Sequence, residues 1–330
     1  MRLFVVMAVL GLFCFLQAKE GKYLQEKALQ VRAPKASKLL FELLDDELTG
    51  VRYVKKVIPK EVFSRLSENS SFSDKPLIIG VCAGDFDGDE LPDLFYAYPY
   101  GGHRLFRNLG DFKFEDVTRK TGLAQIVSDH WAIGCCFADY DGDGDLDLFV
   151  AGTGDVNLLL ENQGGKKFVD RANALGVSHK GANIQMAFAD YDLDGDLDGY
   201  LVTNRDTHLK PPPEGMRVEA TIRNGEPIVQ KKYRELYDVV FHPTERLRVV
   251  EAGEYDHLFR NDGGKFTDVS DSAGLRGTDQ GLAASWFDYD EDGFPDLYVA
   301  NDFFGPDRFY RNKGDGSFDE VARKILPHVP

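Results

Sequence analysis

Four short acidic segments of the chain share one spacing of aspartates. In each, aspartate stands at positions 1, 3, 5 and 9 of a nine-residue stretch, and the stretches begin at Asp85, Asp139, Asp190 and Asp288. Four carboxylates so close together repel one another, and a cation placed between them relieves the repulsion. The side chain at position 7 varies, whereas its backbone carbonyl is available in every copy. The spacing therefore predicts cation-binding loops, which we number 1 to 4 along the chain.

Calcium is the cation that suits these donors. Carboxylates from four positions, a carbonyl from position 7 and water supply the six to eight hard oxygen ligands that Ca²⁺ prefers, whereas Mg²⁺ keeps several of its own waters. We therefore predict up to four Ca²⁺ sites. The candidate ligands are Asp85, Asp87, Asp89, Leu91 and Asp93 in loop 1, Asp139, Asp141, Asp143, Asp145 and Asp147 in loop 2, Asp190, Asp192, Asp194, Asp196 and Asp198 in loop 3, and Asp288, Asp290, Asp292, Phe294 and Asp296 in loop 4.

The surroundings of these loops exclude the EF-hand, the other common calcium loop. An EF-hand needs flanking helices and a bidentate glutamate at position 12. Position 12 here lies in apolar, strand-like runs and is occupied by Tyr96, Val150, Leu201 and Val299. Glycine at position 6 permits the tight turn in loops 2 to 4, but Glu90 takes its place in loop 1. We therefore expect loop 1 to be the weaker or more distorted site.

Each acidic loop belongs to a larger repeating unit. An apolar run precedes the loop, a second run follows it, a third ends in an Asn-x-Gly turn as at Asn108, and a fourth begins with phenylalanine as at Phe114. Four short strands joined by Asn, Gly and Asp turns form an antiparallel four-stranded blade. A chain of such blades predicts an all-β protein, a β-propeller with four visible blades in residues 80–330.

The N-terminal segment, residues 19–79, carries part of the same unit. Phe41-Glu-Leu-Leu followed by Thr49-Gly50-Val51 copies Phe114-Glu-Asp-Val followed by Thr121-Gly122-Leu123, which indicates an outer strand without a blade of its own. Such a strand is a candidate for closing the propeller. Two interpretations stay open: the chain is the front part of a longer propeller, for which seven blades is the commonest number, or four blades close by themselves.

The first eighteen residues resemble a secretory signal peptide. Arg2 precedes an apolar stretch from Leu3 to Leu16, which is too short to span a bilayer comfortably, and Ala18 suits cleavage. An uncleaved anchor is the alternative, and the rest of the sequence contains no membrane-span candidate. Three cysteines then remain, Cys82, Cys135 and Cys136, in apolar runs. We expect small buried hydrophobic residues there, with a disulfide as the alternative.

Composition and charge limit the possible partners. The chain of 330 residues is 43% hydrophobic and 28% charged, which excludes general disorder. Its formal charge of −16 repels phosphate backbones and anionic lipid, so neither nucleic acid nor a membrane surface is an expected partner.

The acidic loops resemble those of a known family. Asp139-Tyr-Asp-Gly-Asp-Gly-Asp-Leu-Asp147 and the segment from Asp288 to Asp296 resemble the calcium loops of FG-GAP and VCBS repeats, the integrin-type propeller. The Leu-Phe-Arg-Asn-x-Gly turn at Leu105 and the later Phe-x-Asp-Val and Gly-Leu segments are similar to secreted proteins of the cartilage acidic protein family. The resemblance covers residues 80–325. It implies that each loop joins the first and second strands on the bottom face, and that the loop aspartates bind calcium.

An insertion of about fifty residues, 206–255, interrupts the third unit between its second and third strands. Pro211-Pro-Pro213 begins it, Asn224-Gly225 suggests a turn, and Lys231 to Val240 has helical spacing, so we predict a small ordered cap on the face opposite the loops. It holds eight basic and nine acidic residues, whereas the rest of the chain is strongly acidic. This contrast makes the cap the expected partner-facing element. Other polar or aromatic candidates on that top face are His103, His130, Trp131, His179, Arg205, His208, His242 and His257.

Together these patterns predict a secreted, calcium-binding β-propeller that acts as a binding or adhesion module for an extracellular protein or glycan. The alternative is a propeller enzyme, a hydrolase or lyase, with its site in the top-face funnel, and a structural scaffold is a third interpretation. The chain carries no Gly-x-Ser-x-Gly elbow, no His-Glu-x-x-His motif and no phosphate-binding glycine loop. We therefore expect a non-enzymatic role and name no catalytic residue.

Overall fold

The structure is a computed structural model of the chain. It describes residues 44–51, 80–98, 102–204, 219–223, 226–230, 233, 237–240, 247–275, 277, 279–302 and 306–325. The chain divides into two units, Met1–Thr49 and Gly50–Pro330. In the first, one helical turn, α1 (Asp46–Thr49), is described. The predicted signal peptide and the strand expected at Phe41 lie outside the described residues, and none of the described helices is long and apolar enough to span a bilayer.

The described part of the second unit contains four antiparallel groups of four strands, which agree with the predicted blades. Blade 1 consists of β1 (Gly80–Gly84), β2 (Asp93–Ala97), β3 (Arg104–Asn108) and β4 (Phe114–Asp116). Blade 2 consists of β5 (Ala132–Ala138), β6 (Asp147–Val156), β7 (Leu158–Asn162) and β8 (Phe168–Asp170). Blade 3 consists of β9 (Lys180–Ala189), β10 (Asp198–Thr203), β15 (His257–Asn261) and β16 (Phe266–Asp268). Blade 4 consists of β17 (Gly281–Phe287), β18 (Asp296–Asn301), β19 (Arg308–Asn312) and β20 (Phe318–Glu320).

The strands within each blade follow the chain order, and the first strands of successive blades contact one another. A single helical turn follows each outer strand. These turns are α2 (Leu123–Ile126), α3 (Ala172–Leu175), α4 (Ser270–Ala273) and α5 (Ala322–Ile325). The fold of this unit is all-β and consistent with a β-propeller, as predicted.

The apolar core lies in layers between neighbouring blades. In β6, Leu148 and Val150 pack toward blade 1, whereas Phe149 and Ala151 pack toward blade 3. Consecutive strand residues point to opposite faces, so a second strand buried on both sides has to be apolar at every position. β10 follows the same rule, because Leu201 belongs to the layer with blade 2 and Val202 to the layer with blade 4. These alternating contacts hold the blades together.

Glycine permits the closest approach between first strands. A Cβ atom at Gly134 of β5 would overlap the carbonyl oxygen of Ile184 in β9, and one at Gly80 of β1 would overlap the carbonyl oxygen of Ile133. Both glycines therefore set the spacing of neighbouring blades, since any larger residue would push the strands apart.

Blades 2 and 3 are joined by a pairing that the sequence analysis did not predict. The ends of β6 and β9 extend beyond their blades and pair antiparallel, with Thr153 opposite Ala182 and Val156 opposite Lys180. Each of these strands is ten residues long, whereas β1 and β2 have five. The extra length allows the two blades to share one continuous sheet.

The described residues of the insertion form two hairpins, whereas the sequence suggested a turn and a helix. β11 (Ala220–Arg223) pairs with β12 (Glu226–Val229), with Arg223 opposite Glu226, and β13 (Tyr237–Val240) pairs with β14 (Arg248–Glu251). The predicted turn at Asn224-Gly225 lies outside the described residues. The helical interpretation of Lys231 to Val240 is therefore wrong for its last four residues. Val239 is buried and Tyr237 packs beside it, a period of two that places both on one face of a strand.

The three described cysteines are free thiols rather than disulfide partners, and each is half-buried instead of fully buried as expected. Cys136 donates a hydrogen bond to the carbonyl oxygen of Met186 at 3.3 Å, and Cys135 lies 3.8 Å from that of Phe95. Burial raises the pKa of the Cys82 and Cys136 thiols well above the usual value, which keeps them protonated.

Candidate metal centres

Each acidic loop is closed by backbone N–H groups that point at its first aspartate. In loop 1, Asp85 accepts hydrogen bonds from the backbone nitrogens of Gly88, Asp89 and Glu90 at 2.7–3.1 Å. Position 1 receives at least one such bond in the other loops also. The position 5 carboxylate accepts the N–H of position 7 at 2.9–3.0 Å in every loop. These bonds fix the carboxylates on one side of a tight turn.

The aspartate at position 9 is the most deeply buried member of each loop. Asp93, Asp147, Asp198 and Asp296 are at most 1% exposed. In blade 2, Asp147 accepts a bond from the nitrogen of Tyr140 in the loop at 3.3 Å and one from the nitrogen of Asn162 at the end of β7 at 2.7 Å. Burial raises the pKa of Asp93 to about 6 and that of Asp147 and of Asp198 to about 7. A nearby cation would stabilise the ionised form that burial disfavours.

Carboxylate oxygens converge in all four loops. One oxygen from each of three aspartates lies within 4.8 Å of the others in each loop. In loops 1 and 2 the three are positions 1, 3 and 9, and in loops 3 and 4 they are positions 1, 3 and 5. The structure thus brings together twelve of the sixteen predicted carboxylates at positions 1, 3, 5 and 9. Those outside the converging groups are Asp89, Asp143, Asp198 and Asp296.

The converging oxygens fit a bound cation. Asp87 Oδ1, Asp139 Oδ1 and Asp192 Oδ1 are buried and have no hydrogen-bond partner in the described part of the chain. A buried carboxylate oxygen without a partner is unfavourable, and a hard cation satisfies it. The oxygen-only donor set also matches calcium, but the ligand assignment itself stays a prediction.

Loop 1 keeps the shape of the others despite its missing glycine. Glu90 adopts a left-handed φ of 67°, where Gly144, Gly195 and Gly293 have φ between 92° and 100°. Its backbone nitrogen still donates to Asp85 Oδ2 at 2.7 Å. The expected distortion of loop 1 therefore does not disrupt this hydrogen bond. The left-handed conformation of Glu90 costs about 1 kcal/mol of folding free energy.

The position 7 side chain has a role beyond the backbone carbonyl predicted to bind calcium. Asp145 Oδ2 accepts the N–H of Gly164 at 2.9 Å, and Asp196 Oδ2 accepts that of Gly263 at 2.7 Å. Both glycines belong to the turn between the third and outer strands. In blades 2 and 3, the position 7 side chain thus links the acidic loop to the turn between the third and outer strands.

In blades 2 to 4, the turn asparagine that ends the third strand connects neighbouring loops. Asn162 donates from Nδ2 to the carbonyl oxygen of Phe86 in loop 1 at 2.7 Å, and Asn261 donates to that of Tyr140 in loop 2 at 3.0 Å. Asn312 repeats the bond to Tyr191 in loop 3 at 2.9 Å. The four loops therefore lie at the same end of their blades, which we call the loop face. The Asn-x-Gly repeat was recognised in the sequence, but not this bond between blades.

A second repeated position closes the connection between the second and third strands at the opposite end. The residue before the third strand is His103, Asn157, Asp256 or Asp307. Each accepts the backbone N–H of a residue in or beside the second strand, at 2.7–3.0 Å. Asp256 also accepts the Tyr200 hydroxyl at 2.9 Å, and burial raises its pKa to about 7. Because the residue type changes between blades, sequence similarity did not reveal this position.

The described top-face histidines are held by structural partners. His103 Nε2 contacts the carbonyl oxygen of His130 at 2.9 Å, and His130 Nε2 contacts that of Val156 at 2.6 Å. His179 Nδ1 lies 2.8 Å from Asn183 Oδ1, and His257 Nδ1 lies 2.8 Å from Asp268 Oδ2. Arg205, His208 and His242 lie outside the described residues.

Comparisons with known proteins identify the repeat. The family model described as FG-GAP-like repeat matches residues 85–150, 139–201 and 288–330, which include all four acidic loops. A crystal structure of BBS1N in complex with ARL6DN, soaked with lead, has 16% sequence identity and a TM-score of 0.31, with coverage of 76% of this chain and 69% of that chain. The V. cholerae biofilm matrix protein Bap1 has 16% identity and a TM-score of 0.28, and the match covers 73% of this chain and 38% of Bap1.

No curated protein sequence matches the chain. The repeat matches and the sheets agree, however, because each four-stranded blade carries its acidic loop between the first and second strands. Together they support an FG-GAP repeat protein built from β-propeller blades.

Proposed function

We propose that this chain is a secreted, calcium-binding β-propeller module that binds an extracellular protein or glycan. The observation that carries the calcium assignment is the convergence of three carboxylates in every loop, with buried oxygens of Asp87, Asp139 and Asp192 that have no hydrogen-bond partner among the described residues. The twenty residues named above as candidate ligands would hold the ions. Bound calcium would supply positive charge that offsets carboxylate repulsion.

The chain's own residues would make the role of calcium structural. Each loop joins the first two strands of a blade, and in loops 1 to 3 the turn asparagine of the next blade is bonded to the loop at Phe86, Tyr140 or Tyr191. A cation that orders a loop would therefore also order the contact with the next blade. Such stiffening suits a module that presents a binding surface.

The insertion is the element that we propose faces the partner. It has its own apolar cluster around Val229, Tyr233 and Val239, and it exposes Ile222 at 60%. Its near-neutral charge contrasts with the acidic blades. FG-GAP-like repeats suggest a binding or adhesion module, and secretion is proposed from the apolar segment at residues 3–16. Membership of the cartilage acidic protein family is part of the same proposal.

Calcium binding is tested by titration calorimetry on the wild-type chain and on Asp141→Ala. We expect the substitution to weaken the second site at least tenfold and to lower the melting temperature in calcium, because it removes a converging carboxylate. Asp129→Ala, at an exposed position outside the loops, is the control and should change neither quantity. Equal affinity and equal melting temperature in the wild type and Asp141→Ala would disprove the ligand assignment.

Partner binding is tested with an array of extracellular glycans and matrix proteins, probed with the chain in calcium and in chelator. The proposal expects a signal that requires calcium and is lost when the insertion is removed. Absence of any signal in calcium, with the protein folded, would contradict the adhesion role.

A further inference from the structure

One position beside the acidic loops differs in charge between blades. It is the residue immediately before the turn asparagine of each third strand. The residues at this position are Arg107 in blade 1, Glu161 in blade 2, Arg260 in blade 3 and Arg311 in blade 4.

In blades 1 and 4 the arginine binds the acidic loop directly. Arg107 Nη2 donates to Asp89 Oδ2 at 2.8 Å, and Arg107 Nε forms an ion pair with Asp87 Oδ2 at 2.5 Å. Arg311 lies 2.7 Å from Asp290 Oδ2 and 3.5 Å from Asp292 Oδ2. Both arginines therefore contact positions 3 and 5 of their loops and act as built-in counter-ions.

Blades 2 and 3 lack this arrangement in their described residues. Glu161 adds a carboxylate beside loop 2, and its oxygens are bound by Arg171 at 2.8 and 3.2 Å and lie 3.4 Å from the Tyr140 hydroxyl. Arg260 bonds to Asp262 in the following turn, at 3.0 and 3.3 Å.

The arginines are not needed to shape the loops. Loop 3, whose arginine is bonded elsewhere, has the same backbone bonds to Asp190 and Asp194 as loop 4 has to Asp288 and Asp292. What the guanidinium adds in loops 1 and 4 is charge. A positive charge a few ångströms from a divalent cation repels it, and even in water the repulsion corresponds to about a tenfold loss in affinity.

We propose that the charge of the residue before the turn asparagine sets the order of cation affinity among the four loops. Loop 2, beside Glu161, binds calcium most tightly, loop 3 follows, and loops 1 and 4 bind most weakly because Arg107 and Arg311 already neutralise their carboxylates. The charge of the same arginines offsets carboxylate repulsion in loops 1 and 4 when no cation is present. This inference rests on the proposed function, since it requires the loops to bind calcium.

The test is calcium titration calorimetry on the full chain with three sets of variants. The double variant Arg107→Gln/Arg311→Gln should tighten calcium binding at loops 1 and 4 about tenfold. Glu161→Arg should weaken calcium binding at loop 2 by a similar factor. Because Glu161→Arg also removes the partner of Arg171, Glu161→Gln provides a milder variant with about a threefold loss. Arg260→Gln is the matched control and should change affinity by less than about threefold.

Two further readouts separate charge from structure. Hydrogen exchange should show protection of residues 139–147 at lower calcium than residues 85–93 and 288–296. In chelator, the Arg107→Gln/Arg311→Gln variant should melt below the wild type, while its gain in melting temperature on adding calcium should be larger. A merely structural role would lower the melting temperature in both conditions.

The outcomes distinguish the inference from the proposed function. If neither the wild type nor any variant binds calcium, the proposed function fails and this inference fails with it. Two results would overturn only the proposed order of affinities. The wild type would bind calcium while the Arg107→Gln/Arg311→Gln variant binds it with equal or lower affinity, or all four loops would become protected at the same calcium concentration.

Discussion

Asp256 is a buried carboxyl group that bridges the connection between the second and third strands of blade 3. It is 4% exposed, and its oxygens accept bonds from the Thr203 nitrogen at 2.7 Å and the Tyr200 hydroxyl at 2.9 Å. Asn157 has the same place in blade 2, where its Oδ1 accepts the Gly152 N–H at 3.0 Å. The position therefore needs a hydrogen-bond acceptor, but not a negative charge.

This comparison predicts that Asp256→Asn makes the protein more stable at neutral pH. Burial raises the pKa of folded Asp256 to about 7, whereas an unfolded aspartate titrates near 3.9. Between these values the folded state retains a proton that the unfolded state has released, so the stability from this group is complete below about pH 4 and is lost as the pH rises through 7. The variant should gain roughly 1–3 kcal/mol over the wild type by pH 8, with little difference at pH 4.

Denaturant unfolding of both proteins at matched pH and calcium measures this difference, because titration of the loops is common to the two. Asn157→Asp is the reciprocal control and should acquire a loss of stability that grows with pH. A difference between Asp256→Asn and the wild type that does not depend on pH would show that Asp256 is ionised throughout.

At the level of single residues, the sequence predicted the carboxylates but not their partners. The aspartate spacing is periodic and could be read directly, and the structure brings twelve of those carboxylates together. The bonds from Asn162 to Phe86 and from Asn261 to Tyr140 join residues 76 and 121 positions apart. Such contacts depend on the packing of neighbouring blades, which no local pattern records.

At the level of elements, the insertion is a separate hairpin pair attached at two neighbouring points. Its apolar cluster is formed by its own residues. The Glu254 nitrogen donates to the Asn204 carbonyl oxygen at 2.8 Å, so the two ends of the insertion lie close together. Glu254 also supports blade 3, since its Oε2 accepts the Ala182 N–H at 2.8 Å.

We therefore predict that residues 206–252 can be replaced by a short glycine linker without loss of the blades. Retaining Glu254 and Tyr255 preserves the contacts with blade 3, so the melting temperature in calcium should stay close to that of the wild type. Thermal unfolding checks the result, and a second deletion in which Glu254 is also replaced by alanine should be less stable. Failure of the first deletion to fold in calcium would show that the insertion is part of the core.

The strands of the blades were predictable because each carries an apolar run between turn residues. The second hairpin of the insertion was not, since Lys231 to Val240 offers both a helical spacing and the alternating pair Tyr237 and Val239. Packing against Val229 selects the strand. The pairing of β6 with β9 was also missed, because it depends on how far two strands extend beyond their blades.

At the level of the whole second unit, the loops and the core layers are coupled. Phe86 and Tyr191 are position 2 residues of loops 1 and 3, and their side chains pack in the layers between blades. Their carbonyl oxygens accept the bonds from Asn162 and Asn312. Disorder in one loop would therefore weaken both an apolar layer and a bond to the next blade.

This coupling predicts that calcium stabilises the blades of the second unit cooperatively. A ligand that binds only the folded state at a hundredfold excess over its Kd adds about 2.7 kcal/mol per site, so several sites should raise the melting temperature strongly. The measurement is thermal unfolding across a calcium titration, with a chelated sample. Magnesium at equal concentration and sodium chloride at equal ionic strength are the controls, because a chain with a charge of −16 is also stabilised by screening.

A single transition that moves upward with calcium, and much less with magnesium or sodium, is the expected result. Two transitions of which only one responds to calcium would mean that the loops order locally and that the bonds between blades do not transmit the effect. Equal shifts with all three salts would mean that charge screening alone stabilises the acidic loops. The first outcome follows if oxygen coordination at converging carboxylates, rather than ionic strength, relieves their repulsion.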